Sequence, residues 1–393
     1  RKVLKPGNQM RENGVSGDTG FEKLSAWSPL RRPVFRALWI ATIVSHIGTW
    51  MQNTASAWLM TSLAPSPLMV SLVQTATTLP LFLLALPAGA LADVFDRRRL
   101  LLFTQTWMIA AAAALGWLTL ADHITPWILL ALTFMLGIGA AMNAPAWQSI
   151  VPELVSRLEI PAAVALNSAG FNVARSVGPA LGGLVIGILG AGAAFLLNAF
   201  SFCGVFVVLF LWQQKPRKSA LPAERVVSAA RTGLRYVRHA PALRAVLIRT
   251  ASFIISASAA MALLPLVAKD ILGLGSTGYG LLLGFFGLGA VIGAILLQPV
   301  RQKISIDLLV VTGTIGFAAT LAALALVHNF AVVCAALAMG GAAWLALISS
   351  FNSGVQAVVP SWVRGRALSL FMLVIFGGIA CCWATRHTRN PRN

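Results

Sequence analysis

Apolar runs of about 20 residues or more follow one another along nearly the whole chain, separated by short polar loops. Those loops are basic on alternate sides only. Ten runs reach the length of a membrane-crossing helix: 37–61, 68–92, 100–120, 126–147, 163–188, 191–212, 246–268, 277–299, 307–327 and 330–352. About 20 apolar residues span the hydrocarbon core, and lipid offers the backbone no hydrogen-bond partner, so each run is expected to be a helix. The runs lack the alternating pattern of a membrane β-barrel. An eleventh run holds only about 15 apolar residues, short of a span, and ends near Ala380, where the chain turns polar and basic from Cys381 to Asn393. That ending reads as a truncation or frameshift within an eleventh helix, or as a genuine short variant.

Composition agrees with the pattern. The 393 residues are 58% hydrophobic and 10% charged, with mean hydropathy +0.81; a soluble domain carries about 25% charged residues. A net charge of +19 would suggest nucleic-acid binding in a soluble protein. Here the basic residues fall in alternate loops: Arg31, Arg32 and Arg36, then Arg97 to Arg99, Arg157, Lys215 to Arg249, Arg301 with Lys303, and Arg364 with Arg366. The opposite loops hold one basic residue, Lys269, beside Asp122, His123 and Asp270. The positive-inside rule then puts the N-terminus in the cytoplasm. The expected location is the inner membrane, multi-pass, with lipid and not nucleic acid as the partner.

Residues 1–36 lack the apolar core of a signal peptide and read as a disordered cytoplasmic tail. Cys203, Cys334, Cys381 and Cys382 show no disulfide or metal-ligand spacing, and no cofactor is implied. Paired carboxylates at one depth are missing too, so an enzyme is not expected.

The longest internal loop, 213–245, divides the chain into an N-terminal six-helix bundle at 37–212 and an incomplete C-terminal bundle at 246–393. Within it Val226, Val227, Ala230, Leu234 and Val237 share one helical face, and Arg231, Arg235 and Arg238 the other. This is either a basic helix lying on anionic lipid or an ordinary linker obeying the charge rule. The halves echo each other. Gln148-Ser149-Ile150-Val151-Pro152 is matched by Gln356-Ala357-Val358-Val359-Pro360, and Gly89 with Arg97 and Arg99 by Gly293 with Arg301 and Lys303. Parallel repeats with a site at mid-membrane describe one large class of secondary transporters.

At these residues the chain resembles the major facilitator superfamily, over nearly its whole length. The loop after the second span is similar to the superfamily signature of Gly, Asp and a basic pair at Gly89, Asp93, Arg97 and Arg98, with Asp96 where the general pattern has Gly. The Asp-Arg-Arg-Arg variant, with Gln148 to Leu154, Ala165-Leu166-Asn167-Ser168 and Arg364-Gly365-Arg366-Ala367, resembles the branch containing enterobactin exporters and secretion effectors. The resemblance implies an all-α fold of two pseudo-symmetric six-helix bundles. It also implies a conformational latch in which Asp93, helped by Gly89, Asp96, Arg97 and Arg98, pairs across the halves with Arg364 or Arg366. The alternative is that the cluster serves orientation alone.

Gly178-Pro179-Ala180-Leu181-Gly182-Gly183 in the fifth span is similar to a motif of superfamily exporters, with Ala174 replacing its upstream Gly. The eighth span is likewise Gly-rich, and the resemblance makes these two spans neighbours across the halves. Generic small-residue packing is the competing explanation. Two ionisable side chains fall deep in spans, His46 and Arg175. A charge at such depth is costly and marks a functional site by default.

No Asp or Glu lies mid-span to pair with Arg175, so an anionic substrate group is one counter-ion; a structural Arg bonded to carbonyls, or a helix start misplaced by a turn, is the other reading. Gln52, Asn53, Asn143, Asn172, His46 and Arg175 are the candidates for the substrate or proton path, with Gln74, Gln105, Asn167, Asn198, Trp50, Trp58, Trp107 and Trp147 also placed to line it. The expected activity is export of a small molecule, siderophore-like or drug-like, by alternating access in a monomer coupled to protons. Anionic, zwitterionic or neutral cargo is favoured. A non-transporting sensor or fragment is the alternative.

Overall fold

The computed structural model describes residues 25–212, 240–359 and 364–380, and these are almost wholly helical. The basic face expected at 226–238, most of the N-terminal tail and the polar stretch after Ala380 lie outside the described residues. In chain order the helices are α1 (Pro33–Leu63), α2 (Pro67–Val94), α3 (Arg97–Leu120), α4 (Pro126–Leu154), α5 (Ile160–Leu189) and α6 (Ala191–Leu211). The second group is α7 (Pro241–Leu266), α8 (Ser276–Lys303), α9 (Ile306–Leu326), α10 (Phe330–Val358) and α11 (Arg364–Ala380). Ten spans among the described residues are long and apolar enough to cross a membrane, and α11 is shorter.

Local chemistry starts these helices where the sequence is least apolar. Proline occupies the first turn of α1, α2, α4, α5 and α7, where its missing N–H costs no helical bond. Side-chain oxygens of Asp96, Thr125, Ser305 and Asn329 cap α3, α4, α9 and α10. A single residue, Gly190, turns α5 into α6 at φ +83°, a conformation that L side chains rarely adopt. Many mid-helix Ser and Thr hydroxyls are spent on carbonyls of their own helix, as in Thr42 to Leu38 at 2.7 Å and Thr54 to Trp50 at 2.9 Å.

In the first six helices α1 packs on α5 and α6, α2 on α4, and α3 on α4 and α6. In the second group α10 lies between α8 and α9, and α11 packs on α7. The groups meet where α5 packs along α8 and where α2 meets α7 and α11. The first group holds two hydrophobic cores, one around Phe35, Leu101, Ile150 and Leu209 at the end bearing the Arg97–Arg99 cluster, the other around Met60, Leu115, Leu129 and Phe195 toward the opposite end. Polar residues occupy the level between them. At the equivalent level of the second group aromatic rings fill the space: Phe253 lies 5.2 Å from Phe317, 5.5 Å from Trp344 and 6.3 Å from Phe351. That difference between the halves is decided by side chains alone.

Candidate functional site

The face of α1 that presents Trp50, Asn53, Thr54 and Ala57 looks into a cavity of about 320 Å³ between the two groups of helices. Arg175 and Pro179 enter it from α5, Gln74 and Thr77 from α2, and Ser258 and Met261 from α7. Tyr279, Leu283 and Phe286 of α8 close it at helical spacing, with Trp344 of α10. Arg175 stands about 22 Å along α5, close to its midpoint. Its depth therefore does not come from a helix start placed a turn too early along the sequence. Its guanidinium carbon lies 5.9 Å from the centre of the Trp50 ring and 5.8 Å from that of Phe286, a cation held between two aromatic faces. No carboxylate and no hydrogen-bonding protein group pairs with it among the described residues. The carbonyl-bonded alternative is therefore not the arrangement found.

A second cavity of about 480 Å³ sits inside the first six helices. His46, Gln52, Asn53, Gln105, Asn143 and Asn198 line it, and Trp50, Asn53 and Thr77 belong to both cavities. The amide of Asn198 donates to Oε1 of Gln52, joining α6 to α1, and Nε2 of Gln105 donates to Oδ1 of Asn143 at 3.3 Å. His46 meets the edge of Phe171, ring centres 5.3 Å apart. The structure thus gathers His46, Gln52, Asn53, Asn143 and Arg175 about two adjacent cavities that share lining residues. Asn172 is elsewhere: its amide donates to the Ser168 carbonyl of its own helix at 2.8 Å, and it lines neither cavity. Asn167 lines only a crevice of about 20 Å³. Trp58 stacks on Tyr279 at 5.8 Å, and Trp107 donates to the Met135 carbonyl at 2.8 Å, so both are packing residues.

The Gly-Pro segment of α5 is pressed by neighbours on both sides. A Cβ on Gly178 would lie 2.5 Å from Cβ of Trp50, and one on Gly182 2.8 Å from Cα of Met51, so α1 presses on one face. On the other face a Cβ on Gly183 would lie 2.5 Å from the Ser276 carbonyl oxygen of α8. Pro179 has no N–H to give the Arg175 carbonyl four residues back. That oxygen lies against Gly287 of α8, where a Cβ would come within 2.8 Å of it.

The cluster after α2 is engaged in building helix ends. Asp96 accepts from the Arg99 amide at 2.8 Å, capping α3. Arg97 pairs with Glu153 in the last turn of α4. Arg98 donates to the Leu209 and Phe210 carbonyls at 2.8 and 2.6 Å, capping α6. Gly89 stands in α2; the side chains of Asp93, Arg364 and Arg366 lie outside the described residues. Arg364 opens α11, where the sequence pattern predicts a loop.

The sequence does not point to Lys269. It sits in a π-helical turn, Val267–Ile271, that extends α7, and its ammonium donates to the Thr61 carbonyl at the end of α1, 2.8 Å away. Thr277 to the Gly183 carbonyl (3.4 Å) and Thr75 to the Ala380 carbonyl (2.9 Å) join the same end of the two groups. Pro265, just before the turn, is the available signal of a local break in α7.

An all-helical membrane bundle whose two helix groups enclose a cavity with a charged side chain midway along it is a transport protein of the major facilitator type. The chain belongs to the transmembrane secretion effector family, whose model matches residues 24–386. It is 25% identical over 343 residues to the multidrug efflux pump Tap of Mycolicibacterium fortuitum, covering 84% of this chain and 82% of that protein. It is 25% identical to the enterobactin exporter EntS of Salmonella choleraesuis, covering 86% and 81%. With the staphyloferrin A transporter of Staphylococcus aureus the identity is 27%, and the chain spans 41% of that protein's length. Among solved structures, an inward-facing, occupied bacterial homologue of the human lysosomal transporter Spinster superposes with TM-score 0.73 at 15% identity, covering 90% of this chain and 81% of that one. A bacterial homologue of ferroportin gives TM-score 0.69 at 15% identity, covering 91% and 92%.

Proposed function

We propose that this membrane transporter is a secondary active exporter that carries a small molecule, siderophore-like or drug-like, out across the inner membrane by alternating access, with its N-terminus in the cytoplasm. The observation that carries this reading is Arg175, a cation between Trp50 and Phe286 with no carboxylate beside it among the described residues. A charge held there without a counter-ion is costly unless a ligand supplies one. The names borne by relatives, an enterobactin exporter and a multidrug efflux pump, favour export of a small organic molecule. Protons are the proposed driving ion, and His46, the titratable side chain lining the larger cavity, is the proposed carrier. The latch of Asp93 with Arg364 or Arg366 belongs to the same proposal.

Uptake into inverted vesicles, with and without an imposed pH gradient, tests the reading on a panel of carboxylate-bearing siderophores and drugs. Gradient-dependent uptake abolished by Arg175→Gln is expected. Uptake of no compound under either condition would leave a non-transporting membrane protein as the reading. Asp93→Asn should slow transport while the protein still inserts, and unchanged transport would discard the latch.

A further inference from the structure

The larger cavity has chemistry of its own. Among the described residues its lining includes no Asp, Glu, Lys or Arg, and none from α7–α11. Its internal hydrogen bonds leave several donors over and one buried acceptor, Oε1 of Gln105. Gln52 accepts from Asn198, and Asn143 accepts from Gln105 and from Thr104 at 3.1 Å; the amide nitrogens of Gln52 and Asn143 have no partner among the described residues. The Thr133 hydroxyl is unpartnered, and Asn53 and His46 make no hydrogen bond to described residues. Gln52 and Thr133 are only 4% and 3% exposed. Leaving a buried donor unmade costs about 1–3 kcal/mol, and native structures satisfy such groups with protein, water or ligand. Among the described residues, aromatic rings occupy the second helix group at this level, so the polar lining here belongs to the first group.

We propose that this chamber is a second subsite. It takes the uncharged carbonyl-, amide- or hydroxyl-bearing part of a substrate whose anionic end lies against Arg175. The inference rests on the reading of Arg175 as an anion contact and adds the other half of the molecule. Trp50, Asn53 and Thr77 line both cavities, so a ligand seated against Arg175 lies directly beside the uncharged polar one. The substrate class is accordingly bipartite, an acid joined to a polar, uncharged body that accepts and donates hydrogen bonds.

The test uses the full chain in proteoliposomes, with its four native cysteines replaced by serine, and single cysteines at Thr133 (chamber), Ser258 (cavity between the groups) and Leu129 (packed core). A matched elution profile on size exclusion shows that each variant is folded. The probes are neutral hydroxyethyl and anionic sulfonatoethyl methanethiosulfonate. Thr133→Cys should react with the neutral reagent at least about tenfold faster than Leu129→Cys, a ratio equivalent to 1.4 kcal/mol, and show no preference for the anion. Ser258→Cys should prefer the anionic reagent, and Arg175→Gln should remove that preference.

Hippurate, which carries a ring, an amide and a carboxylate, should slow modification at both positions, whereas benzoate, lacking the amide, should slow it at Ser258→Cys only. Equal effects of the two acids at Thr133→Cys, including none, would overturn the subsite, as would reaction there no faster than at Leu129→Cys. Absence of an anion preference at Ser258→Cys would instead strike the reading of Arg175, leaving the Thr133 result to be judged by itself.

Discussion

Gly183 of α5 and Gly280 of α8 face each other so closely that a Cβ on Gly280 would stand 2.7 Å from Cα of Gly183. The neighbours are backbone atoms on both helices, which cannot rotate away as a side chain would. This close approach is the reason the exporter-like segment carries glycine here.

Gly183→Val or Gly280→Val is therefore expected to pry α5 from α8. Overpacking typically costs about 1–3 kcal/mol, and the thermal midpoint of the purified protein should fall accordingly. Gly273, with no atom within 4 Å of a Cβ but φ +61°, separates the causes: Gly273→Ala should strain only its own turn and leave the packing of α5 on α8 intact. Crosslinking between cysteines at Ala180 and Gly284 reads that packing directly.

Arg175 works against stability in the empty protein. Replacing a buried charge with an apolar side chain of similar size is often neutral or stabilising, although removing a cation–π pair costs about 0.5–2 kcal/mol. With no carboxylate to strand, Arg175→Met is expected to raise the thermal midpoint while ending transport of acidic cargo. A lowered midpoint would show that the two rings outweigh the desolvation.

The Asn198–Gln52 pair is buried on both sides, at 1% and 4% exposure. Asn198→Leu strands the Gln52 carbonyl oxygen and should destabilise by about 1–3 kcal/mol. Gln52→Met alone should cost a similar amount. The double variant should cost less than the sum, because neither polar partner is left behind, and a double-mutant cycle in denaturant measures the difference.

Lys269 ties the π turn after α7 to the end of α1 through the Thr61 carbonyl. A cation at a helix C-terminus contributes about 0.3–1 kcal/mol in exposed settings. Lys269→Ala should loosen that end of the molecule: a cysteine at Trp58, which packs against Tyr279 beneath it, should react several-fold faster with a membrane-impermeant thiol reagent. Lys269→Arg should restore the slow rate by donating to the same carbonyl.

Much of the fold is legible along the chain because lipid leaves few choices. A run of about 20 apolar residues must be helical to satisfy its backbone. The expected spans and the observed helices accordingly coincide at α6, α9 and the starts of α4 and α10. Where the helices outrun the apolar stretch, as α4 does to Leu154 and α8 to Lys303, the extra turns are amphipathic ends that hydropathy does not register. The site is legible in part. Arg175 and His46 stand out because a charge or a titratable ring is rare at such depth. Asn172 stands out by residue type, but its angular position on α5 turns it back onto its own helix. Lys269 reads as a lone loop cation until the turn brings it to Thr61.

The helices, their number among the described residues and the family all follow from runs, loops and motifs along one dimension, and the sequence alone sufficed for them. It also marks Arg175 as a residue needing an explanation. Folding in three dimensions was needed to place Arg175 between Trp50 and Phe286 with no carboxylate beside it among the described residues, and to engage Asp96, Arg97 and Arg98 in building helix ends. It likewise makes the middle of one half an uncharged polar chamber and the middle of the other a cluster of rings. The reason is geometric: a polar residue in an apolar helix can face a neighbour, its own backbone or a cavity, and hydropathy is the same for all three.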